Sequence, residues 1–277
     1  MTTQLILIWL ALFMSATQQP RNSRVILNET PPPADVKIAY GKDPNQFGEL
    51  RLPKGDKFKK PYPVVVVLHG GCWMAEYGLG YMGHVSADLT AHGMATWNLE
   101  YRRVGNAGGG WPGTLEDVIA GIQHLSELAQ KYPLDLQRVI VIGHSAGGHL
   151  ALLAGAQRQR GVTIRGVVSL AGITDLRRTG TACDANVTML IKDNTAAYDN
   201  ASPLKLLPLG VKQIVVQGED DKIIPKVMAT SYATAAQAKG DDVRLVLIEK
   251  AGHFEVVDPQ AVAWGIVREQ ILRLGRE

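Results

Sequence analysis

The stretch Val139-Ile140-Val141-Ile142-Gly143-His144-Ser145-Ala146-Gly147-Gly148-His149-Leu150 constrains the architecture of this chain more than any other. Its β-branched half, Arg138 to Ile142, reads as a fully buried strand, and Ala146 to Gln157, with apolar Leu150, Leu152 and Leu153, reads as a helix. Strand must therefore become helix at a single serine framed by Gly143 and Gly147. So sharp a turn holds the serine in a strained backbone conformation and brings its neighbours close enough that bulky side chains there would collide. It also aims the first free N–H groups of the helix beside the serine, where they would stabilise developing negative charge. Gly-x-Ser-x-Gly is short enough to arise by chance. An attacking role for Ser145 thus needs three further groups: a base, a group that orients the base, and donors for an oxyanion.

Each has a candidate. The strand-like run Pro63 to Leu68 ends in His69-Gly70-Gly71-Cys72-Trp73, whose glycines let the backbone approach a substrate oxygen. The amides of Gly71 and Cys72 would join that of Ala146 as the oxyanion hole. His69, lying inside that loop, reads as a hydrogen-bonded structural residue. Downstream, the apolar run Gln213 to Gln217 leads into Gly218-Glu219-Asp220-Asp221-Lys222-Ile223-Ile224-Pro225. Asp220 and Asp221 both stand where an acid would orient an imidazole, and the physics of the sequence does not choose between them. After a last strand-like run, Val243 to Ile248, His253 sits in a loop where it would take the proton from Ser145. The chain order Ser, Asp, His, each just after a strand, supports the set.

These segments resemble the α/β-hydrolase superfamily of serine esterases and lipases. The likeness covers most of residues 36 to 275 and rests on His69-Gly70-Gly71-Cys72-Trp73, Asn98-Leu99-Glu100-Tyr101-Arg102, Gly143-His144-Ser145-Ala146-Gly147-Gly148, Asp221-Lys222-Ile223-Ile224-Pro225 and Gly252-His253-Phe254. Within the superfamily the chain is similar to small bacterial esterases related to hormone-sensitive-lipase-like, kynurenine-formamidase-like and prolyl-oligopeptidase-like hydrolases. The family spacing Asp-x-x-[Val/Ile]-Pro puts the acid at Asp221. Two positions depart from the pattern: Cys72 replaces the third glycine of His-Gly-Gly-Gly, and Tyr101-Arg102-Arg103-Val104-Gly105 replaces Tyr-Arg-Leu-Ala-Pro-Glu. The resemblance implies a carboxylesterase acting on small to medium esters through an acyl-enzyme, without a cofactor. The alternatives are an amide hydrolase of the arylformamidase or serine-peptidase type and a non-catalytic binding protein on a hydrolase scaffold.

Length and composition agree with one such domain, since 277 residues of which 46% are hydrophobic can bury a full core. Strand-like runs at Val36–Ala39, Pro63–Leu68, Met94–Tyr101, Arg138–Ile142, Ile164–Leu170, Gln213–Gln217 and Val243–Ile248 alternate with helical patterns at Gly83–Ala91, Thr114–Lys131, Ala146–Gln157, Lys226–Lys239 and Pro259–Leu274. That alternation predicts a mostly parallel central sheet with helices on both faces, in a single α/β domain over residues 36–277. Thr114 with Asp117 reads as a start resembling a capping box. Residues 173–208, polar and without a clean strand, read as a short cap or lid insertion, and Trp73 and Trp111 as candidates for the substrate pocket.

Other classes are disfavoured. The glycines of 105–113 lack the Lys-Ser or Lys-Thr of a phosphate loop. A net charge of +3, with its basic cluster at Arg51 to Lys60, suits a solvated loop better than a nucleic-acid surface. With seven scattered histidines and no His-Glu-x-x-His or Cys-x-x-Cys, no metal is expected. Residues 1–16, with apolar Leu5 to Met14 and a cleavage site near Ala16, read as a signal peptide, followed by a linker over 17–35. That expectation places the chain in the periplasm or outside the cell, and otherwise in the cytoplasm, with no integral membrane span after processing. Cys72 and Cys183 would either pair, tying cap to oxyanion loop, or remain two free thiols.

Overall fold

A computed structural model describes residues 22–157, 159–192 and 194–276. The expected signal peptide lies outside them. Among the described residues eight strands form one sheet, in the order β1 (Val36–Ala39), β2 (Phe47–Arg51), β4 (Ala95–Leu99), β3 (Tyr62–Leu68), β5 (Leu134–His144), β6 (Ile164–Leu170), β7 (Lys212–Gly218), β8 (Val243–Ile248). From β4 to β8 every neighbouring pair is parallel. The first two strands run antiparallel at the β4 edge.

Helices cover both faces of the sheet, which is why its central strands are apolar at every position rather than at alternate ones. Along β3, Val64, Val66 and Leu68 point into one core, shared with α2 (Gly113–Gln123), α4 (Ala146–Gly155) and α7 (Val227–Ala238). Val65 and Val67 point into the other, shared with α1 (Met82–Ala91) and α8 (Val262–Arg276). Val64 to Val67 are all fully buried, each contributing about 1.5–3 kcal/mol by leaving water.

A parallel sheet places all its carboxyl ends along one edge. The registers Leu68↔Gly143, His144↔Leu170 and Gly218↔Ile248 keep the ends of β3, β5, β6, β7 and β8 level. The loops that follow β3, β7 and β8 and the turn that follows β5 therefore emerge side by side, although their candidate residues are spread from position 69 to position 253. In open α/β sheets, ligands bind at this edge.

The structure departs from the sequence expectations at four points. Strand β2 was not expected, because Phe47-Gly48-Glu49-Leu50-Arg51 carries a glycine and two charges where an apolar run was sought; its Leu50 is nonetheless fully buried. Residues 22–35 are not a free linker. A 3-10 turn, Ser23–Leu27, buries Ile26 against the α1 and α8 core, and Arg51 Nη2 donates to Pro32 O at 2.9 Å. Thr114 and Asp117 form no capping box: α2 begins at Gly113 after Pro112, and both side chains turn to Arg102. Thr114 Oγ1 donates to Arg102 O at 2.7 Å. Asp117 accepts from Arg102 N, Nε and Nη2 at 2.9, 2.8 and 2.6 Å, and from Gln46 Nε2 at 2.7 Å. The helix expected over 114–131 is also interrupted at His124, leaving the short α3 (Leu125–Leu128).

Asp117 is thus a buried charge whose removal strands an amide, a guanidinium and a carboxamide. Asp117→Ala is expected to lower the free energy of unfolding by about 3 kcal/mol in a guanidinium titration. A loss below about 1 kcal/mol, the size of a surface ion pair, would refute the cluster as a structural clamp.

Candidate active site

Strand β5 runs without a loop into α4, and the joint is Ser145. Its backbone lies at φ 55°, ψ −120°, a conformation that side-chain-bearing residues rarely adopt. The ladder extends into the turn through Ser145 N–H, which donates to Leu170 O at 2.8 Å, and the helix starts with His149 N–H donating to Ser145 O at 3.2 Å. Glycine is needed on both sides for the expected reason. A Cβ on Gly143 would stand 2.0 Å from Gly147 O, and one on Gly147 would stand 2.4 Å from both Leu68 O and His69 O.

The loop after β3 wraps over the turn. Gly71 at φ 105° and Cys72 at φ 48° carry it through left-handed backbone, and both residues line the cleft in which Ser145 lies. Ala146 opens α4 directly behind the serine, at the end of the helix where N–H groups lack intrahelical partners. His69 is structural, as expected: its Nδ1 lies 2.7 Å from Gly70 O and its Nε2 2.9 Å from Glu100 Oε1, with the ring stacked on Tyr101.

The two adjacent aspartates are placed differently. Asp220 is exposed, whereas Asp221 is buried with Oδ2 2.8 Å from His253 Nδ1. Asp221 also accepts from Gln217 Nε2 at 2.8 Å and from the Ile223 and Ile224 amides at 2.7 and 2.9 Å. Burial pushes its carboxyl up, but the His253 hydrogen bond and charge, with the two amides, outweigh burial and hold it below the ordinary aspartate value. With Nδ1 committed to Asp221, His253 keeps Nε2 for other partners. Ser145 and His253 line one cleft of about 260 Å³, and among the described residues no hydrogen bond joins their side chains. Arg24, Leu27, Met74, Tyr77, Asn186 and Phe254 also face that cleft.

The pocket candidates are corrected. Trp73 is fully buried and donates from Nε1 to His149 Nδ1 at 3.3 Å, so it is a core residue beneath the loop. Trp111 lines a different depression, with Leu115, Ile119 and Leu206 between α2 and α4. The cleft's apolar lining comes instead from Leu27, Met74 and Phe254, residues in segments whose composition carries no pocket signal. Gln217, Tyr81 and His144 were also missed as polar contributors. Only His144 had a visible cue, its place beside the serine. Cys72 and Cys183 are paired, with Cα atoms 5.3 Å apart, which ties the loop after β3 to the start of α5 (Asp184–Ile191) in the segment expected as a cap. Among the described residues, no three His, Cys, Asp or Glu side chains converge to hold a metal ion.

Residues 49–235 match the BD-FAE family. Esterase LipC of Mycobacterium tuberculosis is 27% identical over 267 residues, covering 86% of this chain and 65% of LipC. A probable isoprenylcysteine alpha-carbonyl methylesterase of Oryza sativa is 24% identical, over 79% of this chain and 58% of that protein. The chain thus spans less than two thirds of either relative. Esterase B of Lactobacillus rhamnosis, solved with an inhibitor, superposes with a TM-score of 0.79 at 18% identity, over 92% of this chain and 91% of that one. The shared architecture is the α/β-hydrolase fold read from the sequence.

Two measurements follow from this geometry. Burial lowers the His149 pKa to about 4, against the Ala201 carbonyl bond that would raise it, and holds that of His144 well below its ordinary 6.5. Between pH 6.5 and 4 the unfolded chain therefore binds protons that the folded chain refuses, so stability falls as pH drops through that window. His149 alone is expected to account for about 3 kcal/mol of that loss. Guanidinium midpoints at pH 7 and 4.5 check this, and a flat profile would contradict it. Intact mass after alkylation with and without reductant is expected to differ by two alkyl groups, and reduction to cost about 2–4 kcal/mol of stability.

Proposed function

The chain belongs to the BD-FAE family, and from that premise we propose that it is a serine esterase, cleaving carboxylic esters of small to medium substrates through an acyl-enzyme on Ser145. The observation that carries the reading is the buried Asp221–His253 contact of 2.8 Å, opening on the same cleft as a serine held in a strand-to-helix turn.

In this reaction the Ser145 oxygen attacks the ester carbonyl while its proton passes to His253 Nε2. The imidazolium is stabilised by Asp221, which stays ionised. The carbonyl oxygen becomes an oxyanion held by the amides of Gly71, Cys72 and Ala146. Collapse breaks the bond to the alcohol, which leaves with the proton from His253. Water, deprotonated by the same imidazole, then releases the acid and restores the serine. For the Ser145 proton to pass, His253 Nε2 must come within hydrogen-bond reach of Ser145 Oγ, a contact of the kind that tightens as substrate binds. The cleft volume favours short acyl groups, and Leu27, Met74 and Phe254 supply an apolar wall for them. The Cys72–Cys183 bond supports export to an oxidising compartment.

Ser145→Ala is expected to lower p-nitrophenyl acetate turnover on the order of 10⁶-fold. Asp221→Asn is expected to be crippling and Asp220→Asn mild; the reverse would move the acid by one residue. A fluorophosphonate should label Ser145, and its failure to do so would favour a binding protein. Across a panel of esters, formamides and peptide amides, esters are expected to turn over fastest, and faster amide cleavage would overturn the ester assignment.

A further inference from the structure

Along the wall of the cleft runs a line of buried polar groups that the proposed reaction does not use. Tyr81, at the end of a 3-10 turn before α1, and His144, the residue before Ser145, are 7% and 1% exposed. Tyr81 Oη lies 2.7 Å from Gly70 N and 2.8 Å from His144 Nδ1, while His144 Nε2 lies 2.9 Å from the backbone oxygen of His253.

The direction of every bond in this line is determined. The His253 carbonyl can only accept, so His144 Nε2 carries the hydrogen. Burial disfavours a second proton on this ring, which leaves Nδ1 as an acceptor. Tyr81 must then donate its O–H to Nδ1, and its oxygen lone pair receives the N–H of Gly70. One uninterrupted relay of donors and acceptors runs from Gly70 to His253, passing beside Ser145.

Resting on the reading of Ser145 as nucleophile, we propose that Tyr81 and His144 are positioning residues that hold the oxyanion loop and the general base in register across the nucleophile. At one end the Gly70 amide is fixed immediately before Gly71 and Cys72, the two residues whose left-handed backbone aims the proposed donors. At the other, His253 is gripped twice: its backbone oxygen by His144 and its ring by Asp221. The His144 ring also packs 4.5 Å from that of His253 and 5.6 Å from that of Phe254, which limits swivelling of the base. Neither positioning side chain needs to touch the reacting atoms. Their effect is on where donors and base stand when the oxyanion forms, and misplacement of an ångström is enough to slow a reaction about 10²-fold.

Tyr81→Phe keeps the ring and deletes the hydroxyl. In the full chain it is expected to lower kcat for p-nitrophenyl acetate about 10–100-fold while KM stays within about threefold, because the oxyanion exists only in the transition state. Affinity for a trifluoromethyl ketone, which mimics the tetrahedral species, should fall with kcat/KM. His144→Asn should cost a similar factor, and the double variant should be scarcely worse than either single one, as members of one relay are non-additive. Nitrogen-15 spectra of labelled histidine should show His144 neutral with its proton on Nε2. Unchanged kcat in Tyr81→Phe, fully multiplicative losses, a Tm drop that accounts for the lost activity, or a proton on His144 Nδ1 would each overturn the proposal. A wild type that no fluorophosphonate labels sinks the nucleophile reading instead, and the tautomer spectrum still judges the relay.

Discussion

The turn at Ser145 is the constraint around which the rest is arranged. A serine at φ 55°, ψ −120° is unfavourable by itself, so the surrounding structure must over-determine it. It does so by continuing the β5–β6 ladder through the Ser145 amide and beginning α4 from the Ser145 carbonyl, leaving no residue free to relax the turn. Closeness then follows. Because Gly147 nearly touches the backbone of Leu68 and His69, the end of β3 and the start of α4 are locked together, and the loop after β3 has nowhere to go but over the serine.

That crowding forces a choice about charge. Groups at the carboxyl edge of the sheet are buried, and a buried charge is costly unless it is matched. Two solutions coexist. Glu100 is matched: burial raises its pKa, but His69 and Arg103, with the Leu79 amide, more than compensate and hold it ionised. Asp221 is matched in the same manner by His253 and two amides. His144 and His149 are instead kept neutral, each using one nitrogen as donor to a carbonyl and the other as acceptor. Two uncharged histidines thus flank the Ser145 turn, His144 ending β5 and His149 in α4, and His253 is left as the imidazole with a carboxylate at its back.

How much of this was legible follows from the physics of each segment. Buried parallel strands announce themselves as β-branched runs, and Ile164–Leu170 matches its expected bounds; so do the two edge strands, Val36–Ala39 and Val243–Ile248, which are only partly buried. Strand β2 did not, since a strand paired antiparallel on both sides needs only alternation, and Gly48, Glu49 and Arg51 hide it. Ser145 and His253 were readable because turns and chain order expose them. The choice of Asp221 over Asp220 came only from family spacing, and in the structure it follows from which carboxylate the Ile223 and Ile224 amides can reach. Trp73 and Trp111 misled because a tryptophan beside a glycine-rich loop serves a core as readily as a pocket, and only burial separates the two. Thr114 and Asp117 misled because a cap signature specifies residue types, whereas Arg102, folded back from the end of β4, offered the better partner. Tyr81 lies far from any motif, so no sequence pattern points to it.

The loop after β3 is the least self-sufficient part of the edge. It contains no regular hydrogen-bonded element between Leu68 and the turn at Leu79, and two consecutive residues that bear side chains, Cys72 and Trp73, lie at positive φ. Such a backbone keeps its shape only if it is held from outside, and four different anchors do so. Gly70 is held by Tyr81 from below, Tyr77 and Leu79 by Arg103 and Glu100 from the β4 side, Trp73 by His149 from α4, and Cys72 by Cys183 from α5. The anchors come from elements that share little else, so none can shift without the others resisting. A cysteine where the resemblance led one to expect a third glycine becomes intelligible on these terms. Glycine would ease the left-handed backbone but leave the loop free to sample others, whereas a cross-link to Cys183 fixes one conformation and couples the start of α5 to the loop that carries the proposed oxyanion donors.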